Sequence, residues 1–478
     1  MNKEYNSAYI FGITLVATLG GLLFGYDTAV ISGAVSSIRD YLIIPNIPEG
    51  FIKIFGIMFD KREFYLGNTV SSALFGCIIG GLISGFLSSR LGRKNSLFVA
   101  AVLFFVAAWG SAYPEFLFFK HGESSMGVLW AFNAYRILGG IGVGLASAVC
   151  PMYIGEIAPA SIRGRLVSFN QFAIIFGMLV VYFVNWGIAN GQTDEWIHTI
   201  GWRYMFISLA IPSALFGILL FFVPETPRYL SLINQDNKAL DVLKKINGKE
   251  RAVKIMEEIK ATMTEGVKAK LTSYGIKVLI IGILICIFQQ FIGINVALYY
   301  APEIFKAMAG NGSTDTAMMQ TVIMGLVNVI FTVVAILTVD KWGRKPLLIV
   351  GSIGMAIGMF AISAFAFKGI LGVATLVFMI IYTASFMMSW GPICWVLVSE
   401  IFPNKIRGQA VAIAVAAQWL ANYIVSSTFP PLLKFNGALP YVIYGAMAVL
   451  AALFVWKFVP ETKGKTLEQI EKLWKTGN

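Results

Sequence analysis

Charge is scarce in this chain. Only 13% of its 478 residues are Asp, Glu, Lys or Arg, about half the share of an ordinary soluble protein, which argues against a soluble globule. Histidine is nearly absent. His121 and His198 are the only two and form no HExxH spacing, so a zinc hydrolase has no ligands. The four cysteines, at 77, 150, 286 and 394, lie far apart in apolar stretches with no CxxC, and read as single buried thiols rather than a disulfide or metal framework. Phosphate-binding loops are missing too. "GKT" at 464–466 has Val459 where a Walker A loop needs glycine, and "GGIGVG" at 139–144 lacks the last glycine of a dinucleotide fingerprint. Without an ATP site, uphill work needs an ion gradient. No metal, no cofactor and no enzyme activity are expected.

Apolar runs are plentiful. Stretches of the roughly 20 residues that cross a bilayer recur near 9–36, 64–88, 96–113, 127–152, 166–189, 202–223, 274–300, 316–339, 346–367, 370–398, 408–433 and 438–459. In lipid such segments satisfy their backbone internally, as helices. The first is too long for a cleaved signal and runs through Asp27. The expected class is an all-α membrane protein with twelve transmembrane helices. The net charge of +12 points to topology, not to nucleic acid: with the N-terminus inside, 27 of the 37 Lys and Arg fall in inner segments. A multi-pass protein of the cell (inner) membrane with both termini cytoplasmic is therefore expected, the lipid bilayer being one of its partners.

The sequence also repeats itself. "RLGRK" (90–94) recurs as "KWGRK" (341–345), "EIAPASIRG" (156–164) as "EIFPNKIRG" (400–408), and "PETPRYL" (224–230) as "PETKGKT" (460–466). The order is the same each time, so the chain divides into a six-helix half at 1–223, a polar linker with short helices at 224–273, a second half at 274–459 and a tail at 460–478. Paired six-span halves around a central site are the arrangement of secondary transporters.

Polar residues inside the spans then become informative. At about 1.5 Å per residue, Gln171 is roughly 10 Å from the cytoplasmic loop, Gln418 about 15 Å, Gln289, Gln290 and Asn328 about 18–20 Å, and Asn295 about 27 Å. Carboxamides that both donate and accept suit a ligand rich in hydroxyls, which do the same. On an unbroken helix Gln289, Gln290, Asn295 and Tyr299 would not share a face, but Gly293 offers a break, tolerated at that depth only beside protein or a cavity. Asp27 and Arg136 are the only charges well inside the spans and lie at similar depth, so they are expected to pair. A carboxylate with a movable arginine partner is a candidate proton site. At the cytoplasmic rim, Arg93, Glu156 and Arg163 are doubled by Arg344, Glu400 and Arg407. Charges from the two halves are expected to bridge there when the inner side is closed and to separate when it opens.

"GGIGVGLASAVCPMYIGEIAPASIRG", the doubled G-R-K loops, "PETPR", "GYDTAV", "SFNQFAIIFG", "FQQFIGINVALYY", "WGPICWVLVSEIFP" and "AAQWLANY" together resemble the sugar porter family of the major facilitator superfamily. Within it the chain looks closest to the bacterial D-xylose–proton symporters. The resemblance spans essentially the whole chain and implies the major facilitator fold with two pseudo-symmetric halves. It implies sugar contacts from Gln171, Gln289, Gln290, Asn295 and Gln418, with Trp395 and Trp419 lining the site and Tyr299 in the same polar stretch. A bend of the tenth span at Gly391-Pro392, proton coupling at Asp27, and an inner gate in the doubled rim charges are implied as well. The expected function is proton-coupled symport of a monosaccharide, D-xylose foremost. A sugar uniporter of the same fold is the alternative that Asp27 argues against, and a non-transporting sugar sensor is a further one.

Overall fold

The computed structural model describes residues 5–54, 56–159, 161–264, 270–308, 313–370, 372–403 and 406–463. Among the described residues, twelve helices are long and apolar enough to cross a membrane: Ser7–Ile43, Lys61–Leu91, Arg93–Ala112, Met126–Ile157, Arg163–Ala189, Asp194–Leu220, Ile276–Tyr299, Thr314–Val339, Arg344–Phe367, Val373–Val398, Arg407–Phe435 and Leu439–Phe458. We number them as spans one to twelve. The expected count holds. The first, second and sixth run further than hydropathy suggested: the first continues through a 3-10 turn and a π turn to Ile43, and the other two begin earlier, at polar caps. The Asp60 side chain accepts from Glu63 N, and Thr193 caps Trp196 N. Glu63 and Asp194 therefore sit on span ends rather than in loops.

Between the halves, three short helices, Pro227–Leu232, Asp236–Asn247 and Lys249–Thr264, lie on the first half. Asn6 N donates to Ile246 O at 2.9 Å and the Tyr229 hydroxyl to Arg90 O at 2.9 Å. We call this side the linker face and the opposite side the distal face. On the distal face the first two spans are joined through a small hairpin, β1 (Phe51–Ile54) paired antiparallel with β2 (Ile57–Asp60), which the sequence reading did not anticipate.

Small residues set the helix spacing inside the first half. A Cβ at Gly140 would fall 1.8 Å from the Ala73 carbonyl oxygen, and one at Gly144 would fall 2.5 Å from that of Cys77. The glycines of "GGIGVG" thus pack the fourth span against the second.

Two spans are broken where the site lies. The seventh stops at Phe291 and resumes at Ile294, with Gly293 left-handed at φ 93°. The tenth ends its first piece at Met387 and restarts at Trp390. That is a correction to the bend expected at Gly391-Pro392. Proline lacks an N–H and its ring meets the carbonyl four residues back, so the disruption falls in the preceding turn, at Met388–Ser389.

Candidate functional site

A cavity lies between the halves at mid-depth. The first half contributes Phe24, Thr28 and Gln171, and the second Gln289, Gln290, Asn295, Tyr299, Trp395, Gln418, Trp419 and Asn422. All eight residues expected at the substrate line it. Asn328 does not: it is buried on the eighth span, where Thr332 bonds its carbonyl. Phe24, Thr28 and Asn422 were missed, since none stands out in an apolar or mixed run.

The carboxamides form one array. Gln289 Nε2 donates to the carbonyls of Trp390 (2.9 Å) and Gly391 (3.3 Å), which ties the seventh span to the restarted tenth. Its Oε1 accepts from Gln290 Nε2 at 3.3 Å and from Gln418 Nε2. Asn295 Nδ2 donates to Gln290 Oε1, a contact that the break at Gly293 makes possible. Gln418 Oε1 and Trp419 Nε1, both buried, have no protein partner: one acceptor and one donor are open at the same wall. Asn422 Nδ2 reaches the Tyr299 hydroxyl at 3.4 Å, and the rings of Phe24 and Trp419 meet across the halves at 5.7 Å. Such a site offers polar groups to hydroxyls and a flat apolar wall to the ring that bears them.

Asp27 and Arg136 are not in the cavity wall. Thr28, beside Asp27, is. The pair is fully buried, with Arg136 Nη1 to Asp27 Oδ1 at 2.9 Å and Nη2 to the Asp27 carbonyl at 3.1 Å. Asp27 Oδ2 and Arg136 Nε have no partner. A carboxylate with one oxygen committed and one open, in a place closed to water, can take a proton there. A second buried ion pair was not foreseen. Arg203, at the start of the apolar run 202–223, meets Glu115 at 2.9 Å and lies over the rings of Tyr41, Tyr113 and Trp202 at 5.1, 5.5 and 4.7 Å.

At the linker face the two halves repeat each other closely. Arg93 Nη2 meets Glu156 at 2.8 Å and Arg344 Nη2 meets Glu400 at 2.9 Å. Thr226 and Thr462 hydroxyls each donate to that glutamate at 2.6 Å. Glu225 accepts from the N–H groups of Arg93 and Lys94, and Glu461 from those of Arg344 and Lys345. Gly92 and Gly343, both at φ 91°, admit these carboxylates, which a Cβ would meet at 2.3 and 2.8 Å. The copies differ in electrostatics. Burial pushes the Glu225 carboxyl above its usual range despite its N–H donors. At Glu461 burial acts the same way, but the backbone donors outweigh it and hold the carboxyl low. Glu156 and Glu400 thus bond within their own halves. Arg163 and Arg407 each donate to a backbone carbonyl of their own connection, Ala158 O at 3.5 Å and Phe402 O at 3.2 Å.

Contacts between the halves concentrate at the distal face. Tyr423 donates to Asn68 Oδ1 at 2.7 Å, Tyr182 to Leu298 O at 3.1 Å, and Lys306 meets Asp194 at 3.3 Å. Arg39 joins Glu63 (3.2 Å) and Glu303 (3.3 Å), and Ser36 also bonds Glu303. The molecule is shut on that side.

Twelve spans in two matched halves, broken helices and a polar cavity at their seam define a secondary transporter of the major facilitator fold. The profile described as "Sugar (and other) transporter" matches residues 13–474, and the chain belongs to that family. It is 54% identical to the D-xylose-proton symporter of Escherichia coli (strain K12), over 99% of this chain and 97% of that one. It is 37% identical to the glucose facilitated diffusion protein of Zymomonas mobilis, over the full length of both. The solved inward open conformation of the xylose transporter XylE from E. coli superposes with a TM-score of 0.86 at 53% identity, over 98% of this chain and 100% of that one.

Proposed function

We propose that this protein carries D-xylose together with a proton by alternating access. It lies in the cell's inner membrane with the linker face cytoplasmic, and it is a carrier rather than an enzyme. The similarity to the D-xylose-proton symporter supports the substrate. The observation that favours coupling over facilitated diffusion is the buried Asp27, which has one oxygen on Arg136 and the other open.

The carboxamide array with Trp395 and Trp419 holds the sugar, and Tyr299 and Asn422 close the distal end of its wall. Asp27 takes a proton when the distal side is open and gives it up when the linker side opens. Arg136 favours the ionised form by pairing with it. The rim set at Arg93, Glu156, Arg163, Arg344, Glu400 and Arg407 is the inner gate, whose charges part as the linker side opens.

One pair of assays on proteoliposomes tests the reading. Asp27→Asn keeps size and hydrogen bonding but cannot release a proton, so the empty carrier can still change state. Counterflow of D-xylose is expected to survive, and accumulation driven by a pH gradient to vanish. Accumulation persisting in Asp27→Asn would place the proton elsewhere. Counterflow restricted to a sugar other than D-xylose would overturn the substrate.

A further inference from the structure

The guanidinium of Arg136 is held on two edges and one face. Nη1 and Nη2 go to Asp27, and Nε has no acceptor. The face lies over the ring of Phe206, with Cζ 5.5 Å from its centroid. Phe206 belongs to the sixth span and is fully buried. Its ring is fixed from two sides: Phe132 meets it edge-on at 5.6 Å and 78°, and Trp202 at 6.2 Å and 85°. Phe132 stands one helical turn before Arg136 on the fourth span, so the same helix that supplies the cation helps to aim the ring at it.

We propose that Phe206 is a positioning residue of the proton cycle: its ring holds the Arg136 cation when Asp27 takes up a proton and ceases to be its counter-ion. This rests on the reading of Asp27 as proton carrier. While Asp27 is ionised, Arg136 belongs to a nearly neutral pair, and the negative face of the ring meets little net charge. Once Asp27 is protonated, a full positive charge remains in a place without water, where a cation on an aromatic face is stabilised most. The ring therefore favours the protonated state over the ionised one, and removing its π-density makes Asp27 harder to protonate.

Cys77 from the second span and Tyr299 from the seventh lie in electrostatic reach of the pair. Tyr26, next to Asp27 on the first span, is turned to Ser208 at 2.7 Å. The third and fifth spans meet this region with Ala107, Ile174 and Met178. All are neutral at working pH, which leaves the ring as the aromatic face under the cation.

The test is a series at position 206: phenylalanine with one, two and three ring fluorines, nearly the same in size but progressively poorer in π-density, together with Phe206→Leu. Two readouts follow, with folding checked by melting temperature. One is the pH profile of proton-driven D-xylose accumulation. The other is an infrared titration of the carboxyl band that Asp27→Asn lacks. Each added fluorine is expected to move both midpoints to lower pH, and Phe206→Leu to move them by about one pH unit. A flat fluorine series, or a shift to higher pH, overturns the role of Phe206 while Asp27→Asn still abolishes accumulation. Accumulation that survives Asp27→Asn overturns the underlying reading instead. The fluorinated proteins keep the test decisive if Phe206→Leu fails to fold.

Discussion

At the scale of single residues, Gln289 and Gln418 share a wall but do different work. Gln289 ties the seventh span to the tenth and accepts from two neighbouring carboxamides. Gln418 gives its donor to Gln289 and keeps its acceptor open. A buried polar group left unpaired costs on the order of 1–3 kcal/mol. Gln289→Ala is therefore expected to weaken D-xylose binding about five- to a hundred-fold, and Gln418→Ala toward the lower end of that range. Calorimetry on folded protein measures both, and wild-type affinity in Gln289→Ala would remove the cavity from the account. Gln171, Gln289, Gln290, Asn295 and Gln418 were legible in sequence because each interrupts an apolar run. Phe206 and Phe24 were not, because a phenylalanine among aliphatics has no contrast. Arg203 gave no signal for a related reason: a charge at the edge of an apolar run looks solvated until the rings that enclose it are seen.

At the scale of elements, the breaks matter more than the helices. Gly293 holds φ 93°, and a Cβ there would fall 2.6 Å from the Tyr444 ring. Alanine at that position is strained in backbone and in contact, at about 1–3 kcal/mol. Gly293→Ala is expected to lower the melting temperature by a few degrees and to weaken sugar binding, since Asn295 would leave Gln290. Gly12→Ala, on the first span with nothing within 4 Å of the added methyl, is the matched control and should change neither. If both variants behave alike, the break is not what brings Asn295 to the site. The kink at Gly293 was readable, because glycine in a polar-dense stretch is a local signal. The tenth-span break was only half readable. Proline announces a disruption, but the backbone yields a turn earlier, where Ser389 and its neighbours give no cue of their own.

For the whole molecule, the internal repeat foretold two matched halves, and Glu225 and Glu461 in the same two-amide grip show how closely the match is kept. The distal seal was not foretold. It joins residues from opposite halves, Arg39 and Ser36 to Glu303 and Lys306 to Asp194, and no spacing within either half encodes such a contact. Its consequence is a bias on the alternating equilibrium. Arg39 holds Glu303 only while the distal side is shut, so it stabilises one state and has no differential contact with the other. The side chains are partly exposed, at 32% for Arg39 and 22% for Glu303, so the pair is worth no more than about 1 kcal/mol, roughly a five-fold change in population. Arg39→Ala is expected to move the resting population toward the distal-open state by up to that factor. Spin labels on cysteines placed at Gln192 and Asn436, exposed distal sites in opposite halves, report it as a gain in the longer of two distances. Glu303→Gln should act in the same direction and less strongly, because it keeps a hydrogen bond to Ser36. An unchanged distance distribution in both variants would mean that the distal side is held by packing alone. The close approach of Gly67 to Ser427, where a Cβ would fall 2.1 Å from the carbonyl oxygen, would then be the contact to perturb.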